Sequence, residues 1–224
     1  MLNLIRAAAI CIISLAPAVA MAAPLKVVTD IPAVHSLVTA VLGANGEATL
    51  LLDRAGDPHD LALRPSQARD LARADVVIWV GPSLTPAVAP AVTTLADQSV
   101  MVTLEKIDGT RRLKPRDWAG AYRPELVEAG RNEAIDPHLW LDPSNAALWT
   151  RAIAEALGKA DPLRRSDYRA RAAEASAAIE ALQERIGEAL TASPPGRYLP
   201  SHDALAYFEA RYGLEPITVL APDD

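Results

Sequence analysis

Short β-branched runs alternate with amphipathic segments from Leu25 onward, and this alternation limits the fold more than any other feature. The most telling run is Val76-Val77-Ile78-Trp79-Val80, five apolar residues closed by Gly81-Pro82. A strand wetted on one face alternates apolar and polar residues, whereas one that is apolar throughout is covered on both faces, as in a parallel sheet. Leu25 to Thr29, Ala48 to Leu52 and Ser99 to Leu104 read as further strands. Between them, Pro32 opens a helix with Val34, Leu37, Val38, Val41 and Leu42 on one face, closed by Gly43. Pro65 starts a second helix that packs Ala68, Leu71 and Ala72, and Thr85 to Ala96 reads as a third. Strands and helices at this spacing predict right-handed βαβ units and the α/β class.

The second half of the chain is mostly helical. Asp142-Pro143 reads as an N-cap followed by proline at the first helical position, opening a helix that runs to Leu157 and is capped by Gly158. From about Leu163 to Ala192, Tyr168, Ala172, Ala175, Ile179, Leu182, Ile186 and Leu190 recur at three- and four-residue steps. A helix of that span is about 45 Å long, more than a crossover in one small sheet needs, so it is expected to join two lobes. Arg197 to Pro200 then reads as a short strand, Asp203 to Tyr212 as a helix capped by Gly213, and Ile217 to Leu220 as a strand. Lys106 to Glu133, irregular and proline-containing, reads as a surface loop. The expected organisation is a parallel-sheet lobe over 24–160, a connecting helix over 161–192, and the start of a second α/β lobe over 193–224, left incomplete in a truncated chain.

Residues 1–23 read as a signal peptide. Met1 to Arg6 carries one positive charge, Ala7 to Leu15 is apolar but too short to span a bilayer, and Ala18-Val19-Ala20 and Ala20-Met21-Ala22 both fit a small-x-small cleavage site. The expected product is an exported, soluble, periplasmic protein. The only cysteine, Cys11, lies inside the apolar part of the signal, so the mature chain has no disulfide and any metal site must use nitrogen and oxygen. A formal net charge of -6, with basic residues interspersed among acidic ones, argues against a nucleic-acid partner.

Four histidines occur, and three share a context. His59 lies in Gly56-Asp57-Pro58-His59-Asp60 after a strand, His138 in Asp136-Pro137-His138-Leu139-Trp140-Leu141-Asp142-Pro143 before a helix, and His202 in Pro200-Ser201-His202-Asp203 at a helix start. Parallel α/β sheets bind ligands outside the carboxyl ends of their strands, where loops bring distant residues together. Asp57, Asp60, Asp136 and Asp203 could orient the imidazoles or favour a cation by their negative potential. His35, beside the apolar face of the first helix and without Pro-His context, reads as a packing residue. Gaps of 79 and 64 residues separate the three histidines, unlike the compact spacing of zinc fingers or His-Glu-x-x-His helices, so pattern alone leaves both a metal site and three surface histidines open. A hydrolytic zinc site, three histidines plus an open position, is an alternative in a different class. Neither a Gly-x-Ser-x-Gly elbow nor a phosphate loop occurs.

These residues resemble the zinc-specific substrate-binding proteins of ABC transporters, the ZnuA type. Gly56 to Gln67 with Ala74 to Pro82 is similar to the family's first ligand loop and following strand, Asp136 to Pro143 to its second, and Ser201-His202-Asp203-Ala204 with Tyr207-Phe208 and Tyr212-Gly213-Leu214 to its third. The resemblance covers nearly all of the mature chain. It implies two α/β lobes joined by one rigid helix, Zn²⁺ as the transported ligand of His59, His138 and His202 in the cleft, no enzymatic activity, and a monomer that delivers metal to a membrane permease with its ATPase subunit. Manganese carriers of similar sequence place glutamate where His202 stands, and three imidazoles suit Zn²⁺ better than Mn²⁺; a manganese or broad divalent-metal carrier is the alternative within the class. The chain departs from the pattern in three respects. Lys106 to Glu133 holds no histidine, Pro58 stands where some members have a carboxylate, and the sequence stops before the late carboxylate that members often supply.

Overall fold

A computed structural model describes residues 23–52, 56–116 and 135–216. The signal segment, part of the loop after Lys106 and the expected strand Ile217 to Leu220 lie outside these residues. Four strands, β1 (Leu25–Thr29), β2 (Gly46–Leu50), β3 (Val76–Trp79) and β4 (Val100–Thr103), form one sheet in the order β2-β1-β3-β4 with every pairing parallel. All four residues of β3 are buried, as their unbroken apolar character predicts. β1 and β3 are central neighbours, and the strand order reverses between them. In open α/β sheets that reversal leaves a crevice at the carboxyl ends of the strands.

Helix α1 (Pro32–Leu42) buries Val34, Val38, Val41 and Leu42 and ends at Gly43, whose positive φ of 59° a side chain would strain. Helix α2 (Pro65–Leu71) differs from the expected packing: Leu71 is buried, Ala72 is exposed, and the buried polar residue is Gln67. Helix α3 (Ala89–Leu95) is shorter than the Thr85 to Ala96 reading, because turns occupy the residues around Pro86. A proline interior to a helix removes one hydrogen bond and clashes with the preceding turn.

Helix α4 (Pro143–Ala160) starts at its predicted cap, where the Asp142 Oδ1 atom accepts the Ser144 N–H at 3.0 Å. It runs through Gly158 instead of stopping there. A Cβ at Gly158 would lie 2.8 Å from the Arg165 side chain, and Arg165 donates to the Gly158 carbonyl from Nε at 3.2 Å. That glycine serves close approach rather than capping. Helix α5 (Arg165–Ala192) is continuous over 28 residues, about 42 Å, starting two residues later than read because Pro162–Arg164 forms a 3-10 turn. Tyr168, Ala172 and Ser176 are its buried residues, and the α5 face around them packs on α4 and α1. None of the residues after Ser176 in this helix is buried, and Leu182 is 44% exposed.

Beyond α5, Arg197 to Pro200 is not a strand, and helix α6 (Ala206–Tyr212) begins three residues later than expected. Gly213 caps it in the left-handed region as read. Tyr207 of α6 is fully buried within the same apolar cluster as the sheet. The burial of Tyr207 anchors this helix, whose first turn lies beyond the Asp203 start read from local sequence.

Candidate metal centre

Each of the three Pro- and Ser-flanked histidines enters the site from a different element. His59 sits on the connection between β2 and α2. That connection is held by the buried Leu61 and by Gln67, whose Oε1 accepts the Arg64 N–H at 2.7 Å while its Nε2 donates to the carbonyl of Leu51 at the end of β2. A glutamine three residues into a helix reaching back to the cap is the second half of a capping box. The Arg64-Pro65-Ser66-Gln67 spacing carries that signal, although sequence reasoning assigned Gln67 no role.

The two Asp-Pro-His triplets fold alike. The His59 N–H donates to Asp57 Oδ1 at 2.9 Å, and the His138 N–H donates to Asp136 Oδ1 at 2.9 Å. An aspartate closing a turn on the backbone two residues ahead is a local preference of that side chain. Asp136 does more: its Oδ1 also lies 2.9 Å from His138 Nδ1. A carboxylate accepting from Nδ1–H fixes the ring's tautomer and leaves Nε2 as the lone-pair donor for a metal. His138 is only 3% exposed, and Leu139, fully buried, anchors the 3-10 turn Leu139–Leu141 that follows it.

His202 packs its ring against His138 with centres 5.5 Å apart, and its Nδ1 lies 3.4 Å from Ser201 Oγ. His59 meets His138 edge-on with centres 5.3 Å apart, and Trp140 flanks the His138 ring at 5.3 Å. Two imidazoles held by one tetrahedral Zn²⁺ at Zn–N distances of about 2.0–2.1 Å have ring centres roughly 5 Å apart. The His59–His138 and His138–His202 separations lie close to that value. Among the described residues no three His, Cys, Asp or Glu side chains form a closed metal-holding set.

The structure does not bring His35 into this group. Its Nδ1 lies 3.2 Å from Thr29 Oγ1, and burial holds its pKa below the ordinary histidine value. Of the four acidic neighbours, Asp136 holds the ring of His138. Asp57 takes a backbone N–H, Asp60 is exposed, and Asp203 is bound by Arg116 Nε at 3.0 Å. Arg116 also binds Glu209, whose other oxygen accepts from the Tyr198 hydroxyl at 3.0 Å. Arg116 has no sequence signal. It stands 87 residues from Asp203, inside a stretch that reads as loop.

Fold and site together define a class: an α/β protein with an all-nitrogen set of candidate donors beside the carboxyl edge of a parallel sheet. The model of the family described as "Zinc-uptake complex component A periplasmic", ZnuA, matches residues 27–224, and the chain belongs to that family. It is 40% identical over 222 residues to the high-affinity zinc uptake system protein ZnuA of Paracoccus denitrificans (strain Pd 1222), covering 89% of this chain and 67% of that protein. It is 28% identical over 217 residues to the protein of the same description from Brucella abortus (strain 2308), covering 84% and 65%. The chain therefore spans about two thirds of the length of these relatives. A zinc-bound ZnuA deletion mutant shares the fold with a TM-score of 0.75 at 22% identity, covering 89% of this chain and 72% of that one. Zn(II)-bound AdcA from Streptococcus pneumoniae does so with a TM-score of 0.70 at 20% identity, covering 90% and 40%.

Proposed function

We propose that this chain is the zinc-capturing component of a high-affinity ABC-type uptake system in the periplasm, binding Zn²⁺ through His59, His138 and His202 and delivering it to a membrane permease with its ATPase subunit. The observation that carries this reading is the clustering of three imidazoles, with ring centres 5.3 and 5.5 Å from the central one, which Asp136 holds in a single tautomer. Two relatives described as zinc uptake proteins support the choice of metal. Three neutral imidazoles also suit Zn²⁺ better than Mn²⁺, which prefers oxygen ligands. Among the described residues no helix is long and apolar enough to cross a membrane, in keeping with a carrier that works beside one.

In this reading 24–160 is the first lobe, 161–192 the connecting helix, and 193–224 the beginning of the second lobe. His59 and His138 then come from one side of the cleft and His202 from the other. Each Nε2 would take one corner of a tetrahedron, and a water or a carboxylate the fourth. Carrying metal, rather than activating water, accords with the carboxylates nearby. Three of the four, Asp57, Asp136 and Asp203, are engaged with backbone, ring and arginine, and the fourth, Asp60, is exposed.

Zinc titration against a competing chelator tests the assignment. His59→Ala, His138→Ala and His202→Ala should each weaken binding by at least tenfold, while His35→Ala should leave it within twofold. Unchanged affinity in one of the three removes that residue from the set, and unchanged affinity in all three removes the site.

A further inference from the structure

Resting on the zinc reading above, we infer that Tyr207 is a positioning residue for the metal centre, setting His202 in register with His138. Tyr207 lies in the third motif singled out by the sequence, but a phenol is not among the metal donors read there. The geometry points to its role. The Tyr207 hydroxyl donates to the carbonyl of Asp136 at 2.9 Å and accepts the N–H of Leu113 at 2.9 Å. The N–H of Asp136 donates to the carbonyl of Leu113 at 2.9 Å. The three residues thus close a ring of hydrogen bonds in which Tyr207 supplies the one side chain.

The residue at the centre of that ring is Asp136, whose carboxylate holds both the backbone N–H and the Nδ1 of His138. Tyr207 lies on α6, which follows His202 by only a few residues, and the segment between them is tied down separately by Arg116 on Asp203. One phenol therefore spans the two strands of chain that carry His138 and His202. Tyr207 is fully buried, so water cannot take over either bond when the hydroxyl is removed. Burial also pushes the phenol's pKa up, which keeps it a neutral hydroxyl able to donate and accept at once.

A second buried tyrosine provides a matched control. Tyr168 is equally buried and donates to Asp161 Oδ2 at 3.1 Å, at the α4–α5 junction and not against either histidine loop. Removing either hydroxyl destabilises the fold, but only one of them touches the histidine loops.

The experiment compares wild type, Tyr207→Phe, Tyr168→Phe and His138→Ala by chelator-competition titration with zinc chloride. In parallel, long-range ¹H–¹⁵N NMR of the metal-free chain reads the tautomer of His138. Partners that orient a metal ligand are typically worth about 10–100-fold in affinity. Tyr207→Phe should weaken zinc binding by about tenfold and convert His138 from a single Nδ1–H tautomer to a mixture, while Tyr168→Phe stays within twofold of wild type with an unchanged tautomer. Tyr207→Phe within twofold of wild type and with an unchanged tautomer overturns the inference, and so does an equal loss in Tyr168→Phe. If the wild-type chain binds no zinc, or His138→Ala binds as well as wild type, the zinc reading fails, and the tautomer comparison alone decides the positioning role. Should Tyr207→Phe not fold, Arg116→Gln carries the test from the His202 side: a several-fold loss of affinity supports the register argument, and unchanged affinity overturns it.

Discussion

The four-stranded sheet is held by apolar side chains, whereas the segment from His202 to Tyr212 is held to it by charges and hydroxyls added to the buried ring of Tyr207. In and around the sheet, Val34 and Val38 of α1, Val76 and Ile78 of β3, and Val80 and Leu104 just past β3 and β4 are wholly buried, and their contacts fix a rigid wall without dictating any one bond. At the junction, Arg211 donates to Asp142 Oδ1 from Nε at 3.0 Å and from a terminal nitrogen at 2.7 Å. Arg111 reaches the other Asp142 oxygen at 3.2 Å. Arg116 joins Asp203 and Glu209, and Tyr207 joins Leu113 and Asp136. Apolar burial is strong and non-directional. Hydrogen-bonded ion pairs are weak in net stability but exacting in geometry. A metal site assembled from distant segments needs both, a wall that does not yield and a junction that permits one register.

The contrast can be broken first at the wall. Ile78→Ala should cost about 2–5 kcal/mol, since a fully buried β3 side chain leaves a cavity between two covered faces. Urea unfolding gives the number, and a loss below about 1 kcal/mol would mean that the sheet is not the dominant source of stability.

A second prediction concerns Asp30, a fully buried carboxylate inside that wall. Asp30 follows β1 at the reversal of strand order, accepting the Val80 N–H at 2.7 Å and the Ile31 N–H at 2.9 Å. Burial pushes its pKa up to about 7 against the opposing pull of these bonds. The folded chain therefore holds a proton that the unfolded chain releases near 3.8. The stability that follows is fully present below the unfolded value and is lost as pH rises through the folded one. Between about pH 4 and about pH 7 this should remove on the order of 2–3 kcal/mol, after allowance for relaxation around the charge. Asp30→Asn should flatten that part of the pH–stability curve in chemical denaturation, and an unchanged slope would assign it to other groups.

The junction should respond in the opposite sense. Burial disfavours the Asp142 charge, but hydrogen bonds from Ser144, Arg211 and Arg111 outweigh it and hold the carboxyl below its ordinary range. That contribution is present above the unfolded value and is lost as pH falls through the folded one, in the acid range below about 4. Asp142→Ala removes a helix cap as well as two partly exposed ion pairs, and should cost about 1–2 kcal/mol. The difference from wild type should shrink in high salt when measured by thermal denaturation, whereas the Ile78→Ala loss should not. Equal salt responses would erase the distinction between the two regions.

The sequence by itself determined the parallel α/β class, the sheet strands to within a few residues, the long helix and the three histidines worth following. Each of these depends on local information: unbroken apolar runs, a three-and-four step, and the Asp-Pro-His turn, whose aspartate binds its own backbone in both copies. Tertiary structure alone decided what lies between them. Gly158 sits inside α4 because Arg165 packs against it, α6 is anchored by the burial of Tyr207, and Asp203 faces Arg116 instead of His202. Which of the four aspartates holds an imidazole was equally illegible, since Asp57 and Asp136 stand in the same Asp-Pro-His triplet. At Asp136 the carboxylate also takes the ring nitrogen, and there the peptide is clamped by Leu113 and Tyr207, distant residues that no local pattern joins.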